Sequence, residues 1–293
     1  MTTDAPHTGL LHLIENGETY LLLVPVYVIL IGGERLVHVF RGRHPFNNRD
    51  AAANIAITLG YLFIELIFGA LVPIGLYTLI YLNFASFSLG FGIVGWTVAF
   101  LLRDLCWYTD HRIGHRVALF WAMHHVHHSS AEYNMTVASR GFLVDATMLS
   151  RPLFFLLPLC GVTPLHYVAV TIVTNIWGIA QHTALVGRLG WLDRIFATPS
   201  NHRVHHGSND KYLDRNYGEV LILWDRLFGT YQVEEEEPTY GVIDPIHTYN
   251  PARIQVAGLA WLAAKLRRAH GWRTKLRVLF SPPGWEPGQV ADP

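Results

Sequence analysis

Long apolar blocks alternate with polar ones along this chain. Residues 20–31 are apolar, and Gly32-Gly33-Glu34-Arg35 interrupts the run. With its flanks it predicts a short spanning helix, marginal because about 20 residues are needed to cross a bilayer. A basic loop follows with Arg35, Arg41, Arg43 and Arg49, and His44-Pro45 marks a turn. Residues 51–82 carry one charge, Glu65, in 32 positions, with Pro73 and Gly75 placed to kink or end the helix. Residues 84–102 are 19 positions without a charge. The uncharged connection at 83–88 makes 51–102 a helical hairpin. Residues 103–151 are polar and rich in Arg and His. Residues 152–180 are 29 uncharged positions broken by Gly161-Val162-Thr163-Pro164, which predicts a bent hairpin. After the acidic run 234–237, read as a solvated loop, residues 254–269 form an amphipathic helix. Its Lys265, Arg267 and Arg268 suit a membrane interface. The tail after Ser281 reads as irregular, and residues 1–19 as a loose polar start without a cleavable signal peptide.

These blocks predict an all-α integral membrane protein with about four or five transmembrane helices and a helical cap. Three regions follow: N-terminal membrane helices over 1–102, a catalytic core over 103–253 with an embedded membrane hairpin at 152–180, and an interfacial helix with tail over 254–293. Composition supports the membrane class, with 51% hydrophobic and only 15% charged residues, against about 25% charged in soluble domains. The polar segments 35–49, 103–151 and 181–253 all carry Arg, whereas 1–19 and 83–88 carry neither Lys nor Arg. The positive-inside rule therefore puts the polar segments on the cytoplasmic side. A formal charge of +0 gives no basic footprint for nucleic acid. The two cysteines, Cys106 and Cys160, form no CxxC pair and read as reduced core residues.

Histidine changes the picture. Residues 110–130, DHRIGHRVALFWAMHHVHHSS, hold six of the chain's 17 histidines. They contain His111-x3-His115 and His124-x2-His127-His128, and the second spacing returns as His202-x2-His205-His206. On a helix each residue advances by about 100°. His111 and His115 then share one face, and each HX2HH triple falls within an arc of about 100°. His125 points about 60° outside its arc and is set aside as a ligand. Eight converging imidazoles are too many for one ion and suit two. Imidazole selects Zn, Cu, Fe or Ni. A hydrolytic zinc site would usually bring a Glu inside the motif, as in H-E-x-x-H, but Arg112, Ile113 and Gly114 stand there. Two irons beside a membrane point to O2 activation. Asp110, Asn201 and Asp214 are candidates to orient imidazole N–H groups, although Asn201 and Asp110 equally suit helix capping. His166 and the isolated histidines read as packing residues, as do Trp224-Asp225-Arg226 with Phe228-Gly229.

The set HX3H, HX2HH and a distant HX2HH among apolar segments resembles the fatty acid hydroxylase/sterol desaturase superfamily of membrane di-iron enzymes, over residues 35–289. Residues 198–231, TPSNHRVHHGSNDKYLDRNYGEVLILWDRLFGTY, the HxxHHSSxxYN stretch at 124–134 and PPGWEPG at 282–288 are most similar to its alkylglycerol monooxygenase branch. The resemblance implies a di-metal centre in a cytoplasmic cap and carries His182, in WGIAQHT, into the ligand set beside the eight motif histidines. It implies two iron ions (zinc can replace them in a purified sample), O2 and a lipid substrate. The chain has no GxGxxG and no cytochrome b5 haem motif, so electrons must come from a separate reductase, ferredoxin or pterin such as tetrahydrobiopterin. In one respect the chain departs from that branch: Arg116 and Ala184 stand where it carries Glu, which puts pterin and ether-lipid use in doubt.

The leading expectation is hydroxylation of a fatty acyl, sterol-like or alkylglycerol C–H bond. A C–C desaturase with the same centre is the alternative. A haem protein or metal transporter is disfavoured, because the clusters lie outside the apolar runs and only Glu65 and His166 offer polar groups within them.

Overall fold

The computed structural model describes residues 20–42, 47–68, 70–147 and 150–287. The expectations for residues 1–19, the His44-Pro45 turn and residues 288–293 lie outside them. Among the described residues the chain is all-helical, and only the isolated bridges Phe196–Leu221 and Gly207–Tyr240 pair as strands do.

Helix α1 (Tyr20–Phe40) runs straight through Gly32-Gly33. The apolar run stops there and the helix does not, although a helical glycine costs about 1 kcal/mol relative to alanine. A tertiary contact offsets it. The buried Glu34 carboxylate accepts hydrogen bonds from Thr183 Oγ1 at 2.5 Å and Met135 N at 2.7 Å. Helix α2 (Asn48–Phe68) follows. Residues Leu23–Phe40 and Asn48–Phe68 are long and apolar enough to cross a membrane. Their outward faces are apolar as well: Val28, Ile29, Leu36 and Phe40 on α1, and Leu59, Phe63 and Leu66 on α2 are exposed. Apolar stripes of this kind suit lipid and are costly in water.

Pro73 sits in a widened helical segment, Ala70–Gly75, which leads into α3 (Leu76–Phe84). Proline lacks the N–H and crowds the preceding turn, and one wider turn accommodates both effects. The chain reverses over 85–92, close to the expected tip, and enters α4 (Ile93–Arg116). This helix does not end where the apolar run stops at Leu102. The first charges beyond are buried and paired: Arg103 with Glu219, while Asp104 accepts from Val220 N, Leu221 N and Trp224 Nε1. Charge therefore marks an interior junction there, and the helix carries His111 and His115 at its far end.

A single extended residue, Val117, joins α4 to α5 (Ala118–His128). Tight helical turns over Pro152–Cys160 end at Gly161, whose φ of 76° is in the left-handed region. Thr163 caps α6 (Pro164–Gln181) by accepting from His166 N, with Pro164 in the first turn. The break expected at 161–164 is thus a real bend. Tyr77, Ala99, Phe154, Leu157 and Tyr167 pack around it. The remaining helices are α7 (Pro199–His206), α8 (Leu223–Leu227), α9 (Pro251–Arg268) and α10 (Trp272–Phe280).

Helix α9 is amphipathic as predicted, but its inner face meets protein. Ile254 packs with Ala53, Ile57 and Val126, and Leu262 with Ala118 and Ala122. Lys265, expected at an exposed basic end, is 1% exposed. Its Nζ donates to the Pro283 and Trp285 carbonyls. Helix α10, not among the expected helices, places Val278 against the α5–α9 contact, and residues 281–287 after it are irregular as expected.

Candidate metal centre

The three histidine motifs lie on helix ends that meet. His111 and His115 end α4, His124, His127 and His128 end α5, and His202, His205 and His206 end α7. His182 follows the last residue of α6. Their side chains form two groups capable of holding a metal ion, with the ligand atoms of each within 4.8 Å of one another. The first is His111, His115, His124, His128 and His205. The second is His127, His182, His202 and His206. Helices α5 and α7 each contribute to both groups, as a wide helical arc allows. The groups adjoin, since the His128 and His206 rings stack at 4.4 Å. His125 belongs to neither group. It packs edge-on against Trp121, and its Nδ1 is buried without a partner.

The proton inventory tests whether these imidazoles suit a metal. His111 Nδ1 donates to the Tyr217 carbonyl at 2.8 Å, His205 Nδ1 to Arg215 O at 2.9 Å, and His182 Nδ1 to Gly178 O at 2.6 Å. A carbonyl only accepts, so in these neutral rings the proton is on Nδ1 and Nε2 is a bare lone pair. Yet His111 Nε2 stands 3.1 Å from His124 Nε2, and His128 Nε2 stands 3.1 Å from the Nε2 atoms of His115, His124 and His205. In the second group, His182 Nε2 lies 2.9 Å from His202, 3.2 Å from His206 and 3.4 Å from His127. His111, His205 and His182 therefore present bare Nε2 lone pairs to neighbouring Nε2 atoms, and in each group several Nε2 atoms crowd one point. Metal–imidazole bonds of about 2.0–2.1 Å put neighbouring ligand nitrogens roughly 3.0–3.4 Å apart. The donor set suits a cation in each group.

Protonation does not relieve the crowding, because burial, with help from neighbouring imidazoles, holds the rings below their usual pKa. Burial alone lowers His182, to about 4. His115 is lowered by burial too, partly opposed by Asp214.

The loop after α7 positions the first group. Asp214 and Asn216 have φ of 60° and 54°, a region Asp and Asn tolerate better than most residues. Asn216 Nδ2 donates to Asn201 O and Gln232 O, which fixes the turn. The two carbonyls that receive His205 and His111 lie in the same turn. Asp214 Oδ1 is 3.7 Å from His115 Nδ1, and its Oδ2 accepts from Arg116 at 2.9 Å. Burial alone would raise the Asp214 carboxyl, but His115 and Arg116 hold it below its usual value. Asn201 spends its amide on the Asp193 and Phe196 carbonyls, so it anchors α7 and orients no imidazole N–H. Asp110 lines a cavity that also reaches His111 and His124. One wall of that cavity is the α4 face Trp107–Asp110–His111–Gly114, and the other includes Phe120, Met123 and His124 of α5. Burial pushes Asp110 up to about 7, against the opposing pull of Arg151.

Sequence reasoning did not find the carbonyls of Tyr217, Arg215 and Gly178, which carry no side-chain signal. The Asp-x-Asn pair at 214–216, with its tolerance for left-handed backbone, is the trace that could have located that turn. Glu34 and Arg203 were also missed. Arg203 fastens the segment after His182 by donating to Thr183 O and Val186 O while paired with Glu234. His166 is packed as expected, beside Phe91 and Trp96, with Nδ1 3.0 Å from Thr163 Oγ1.

Residues 96–230 match the fatty acid hydroxylase family. The chain is 34% identical over 268 residues to human alkylglycerol monooxygenase, covering 90% of this chain and 59% of that protein. It is 29% identical over 150 residues to an ornithine lipid hydroxylase from Rhizobium tropici, covering 46% of this chain and 43% of the relative. A Delta(7)-sterol 5(6)-desaturase from Gibberella zeae is 25% identical over 171 residues, covering 58% and 50%. The chain spans 43% to 59% of the length of the alkylglycerol monooxygenases it matches. No solved structure matches it. Residues 96–230 thus carry the fatty acid hydroxylase match, and alkylglycerol monooxygenases and sterol desaturases are among the proteins the chain is similar to.

Proposed function

We propose that the chain is a membrane-bound, O2-dependent lipid monooxygenase with two irons. His111, His115, His124, His128 and His205 would hold one ion, and His127, His182, His202 and His206 the other. The ions would supply activation of O2 for attack on an unactivated C–H bond, and zinc can take the same places in a purified sample. The observation that carries this reading is the convergence of buried Nε2 atoms, spaced 2.9–3.2 Å apart, in two histidine groups.

The protein's own part is positional. The carbonyls of Tyr217, Arg215 and Gly178 hold three Nδ1 protons and so aim three Nε2 lone pairs inward. The cavity between α4 and α5 reaches His111 and His124, and its apolar side chains Trp107, Phe120 and Met123 would contact an alkyl chain brought to its mouth. Relatives that act on alkylglycerols and ornithine lipids support a lipid substrate. The Arg-bearing segments would lie on the cytoplasmic side, above about four or five crossings. Two electrons would come from outside the chain, from a reductase, ferredoxin or pterin. A second reading, C–C desaturation with the same centre, is favoured by the sterol desaturase relatives.

Metal analysis and lipid turnover test the proposal together. Close to two non-haem metals per chain and O2-dependent oxidation of added lipid are expected, with oxidation abolished in His127→Ala. A haem Soret band, or a His127→Ala protein as active as the wild type, would overturn it.

A further inference from the structure

Two segments beside the histidine-bearing helices turn their arginines outward and keep their carboxylates inside. In the loop after α6, Arg188 and Arg194 flank Asp193, and in α8 Arg226 follows Asp225. Asp193 and Asp225 are buried. Asp193 accepts from Leu189 N and Thr198 Oγ1, and Asp225 from Tyr217 N, Gly218 N and Thr230 Oγ1. Glu234, the next carboxylate along, is spent on Arg203 and Ser200. The three arginines are exposed and line one open groove of about 510 Å³ with Trp191 and Tyr231. Arg226 lies 4.6 Å over the Tyr231 ring, and among the described residues none of the three pairs with a carboxylate. Main-chain bonds from Ala197 N to Val220 O and from Ile222 N to Ile195 O tie the two walls together. The groove therefore holds three positive charges and no available negative one.

Its position along α4 decides what it meets. Trp224 Nε1 donates to Asp104, and Phe228 stacks on Tyr108 at 5.4 Å. With a rise of 1.5 Å per residue, Asp104 and Tyr108 stand about 3 and 9 Å beyond Leu102, where the apolar run ends. The headgroup layer is roughly 5–8 Å deep on each side of the hydrocarbon, so α8 falls at that depth. The outward side chains agree. Trp191 and Leu227 are 66% and 70% exposed, and Leu223 and Phe228 are exposed as well. Tryptophan with apolar side chains and arginine is the composition of a membrane interface. An acidic soluble protein would find the same arginines, but it would meet these apolar groups at bilayer depth. The leaflet on the side assigned to the Arg-bearing segments carries the anionic lipids.

We propose that this groove binds the phosphodiester headgroup of an anionic phospholipid in the surrounding bilayer, through Arg188, Arg194 and Arg226. The inference goes beyond the oxidation chemistry and rests only on the membrane placement in the proposed function.

Native mass spectrometry of the metal-loaded full chain in detergent tests it, with dioleoyl phosphatidylglycerol, dioleoyl phosphatidylcholine and inorganic phosphate as probes. The wild type is expected to bind the phosphatidylglycerol at least about tenfold more tightly than the phosphatidylcholine. The triple variant Arg188→Gln, Arg194→Gln, Arg226→Gln is expected to lose that preference with metal content unchanged. A variant of equal charge with the exposed Arg253, Arg267 and Arg273 changed to Gln is expected to keep it. Equal binding of the two lipids by the wild type, or equal loss of preference in both variants, overturns the inference. Phosphate that binds as tightly as the phosphatidylglycerol would make the groove a site for the free anion and overturns the lipid source. A lipid preference that survives in the groove variant while turnover driven by reduced ferredoxin falls would assign the arginines to an acidic protein and overturns it too. If two metals bind and lipid is oxidised without any headgroup preference, this inference alone fails. If alkaline carbonate strips the chain from membranes, the membrane-bound function fails with it.

Discussion

His125 and His128 lie three positions apart in the same short helix, yet their surroundings differ in kind. His128 Nε2 has three other Nε2 atoms at 3.1 Å, whereas His125 faces Trp121 and lies outside both groups. The sequence already separates them, because 3.6 residues per turn carries His125 out of the arc of His124, His127 and His128. What the arc does not reveal is which histidine joins which group, since that depends on α4 and α7 arriving from opposite sides. His128→Gln is expected to empty the first group and bring bound metal from about two to about one per chain by elemental analysis. His125→Gln is expected to keep both metals. Equal metal loss in the two variants would contradict the assignment. Arg116 shows a related limit. Its position directly after His115 was visible, but its partner Asp214 lies 98 residues away, and only the fold brings its carboxylate to the guanidinium and to His115.

Local pattern predicted the helices better than their partners. The bend at 161–164 was legible because Gly, Thr and Pro act within a turn. The continuation of α1 and α4 past their apolar runs was not, because Glu34, Arg103 and Asp104 find buried partners far away in sequence. Helix α9 is the clearest case: its amphipathic pattern names a buried face without naming what covers it. The cover is α5, approached so closely that a Cβ on Gly258 would stand 2.1 Å from the Ala122 carbonyl oxygen. Helix α9 thus holds the helix that bears three ligand candidates. Gly258→Val is expected to force the two helices apart at a cost of about 1–3 kcal/mol or more. It should lower the melting temperature and the metal content together. Gly114→Ala is the counterpart, because its Cβ would meet His124 Cγ at an ordinary 3.6 Å. That variant is expected to keep its metals, so a similar loss there would mean that the centre tolerates no added bulk anywhere and that Gly258 is not special.

At the scale of the molecule, the centre joins four elements that arrive from different parts of the chain. Helix α4 reaches it from the apolar region, α5 from the joint at Val117, α6 through its last turn, and α7 from a loop held by Arg203 and Asn216. Helix α7 has eight residues, too few to persist in isolation, so its place depends on these contacts. With both ions absent, imidazole nitrogens would crowd one another at 3.1 and 2.9 Å in a buried site, the bare Nε2 of His182 among them. The metals should therefore act as fasteners as well as reagents. An ion that binds only the folded chain adds about 2.7 kcal/mol at a concentration a hundred times its Kd. Two such ions should raise the apparent Tm of a chain this size by on the order of 10 °C. The expected outcome of chelation is thus a fall of that order by scanning fluorimetry, reversed when ferrous iron is returned under anaerobic conditions. The fall should be accompanied by increased proteolysis within 183–217, the stretch that contains α7, before the apolar helices are cut. If the chelated protein melts at the same temperature with the same cleavage pattern, the four helices are held by packing alone, and the histidine groups contribute nothing to the fold.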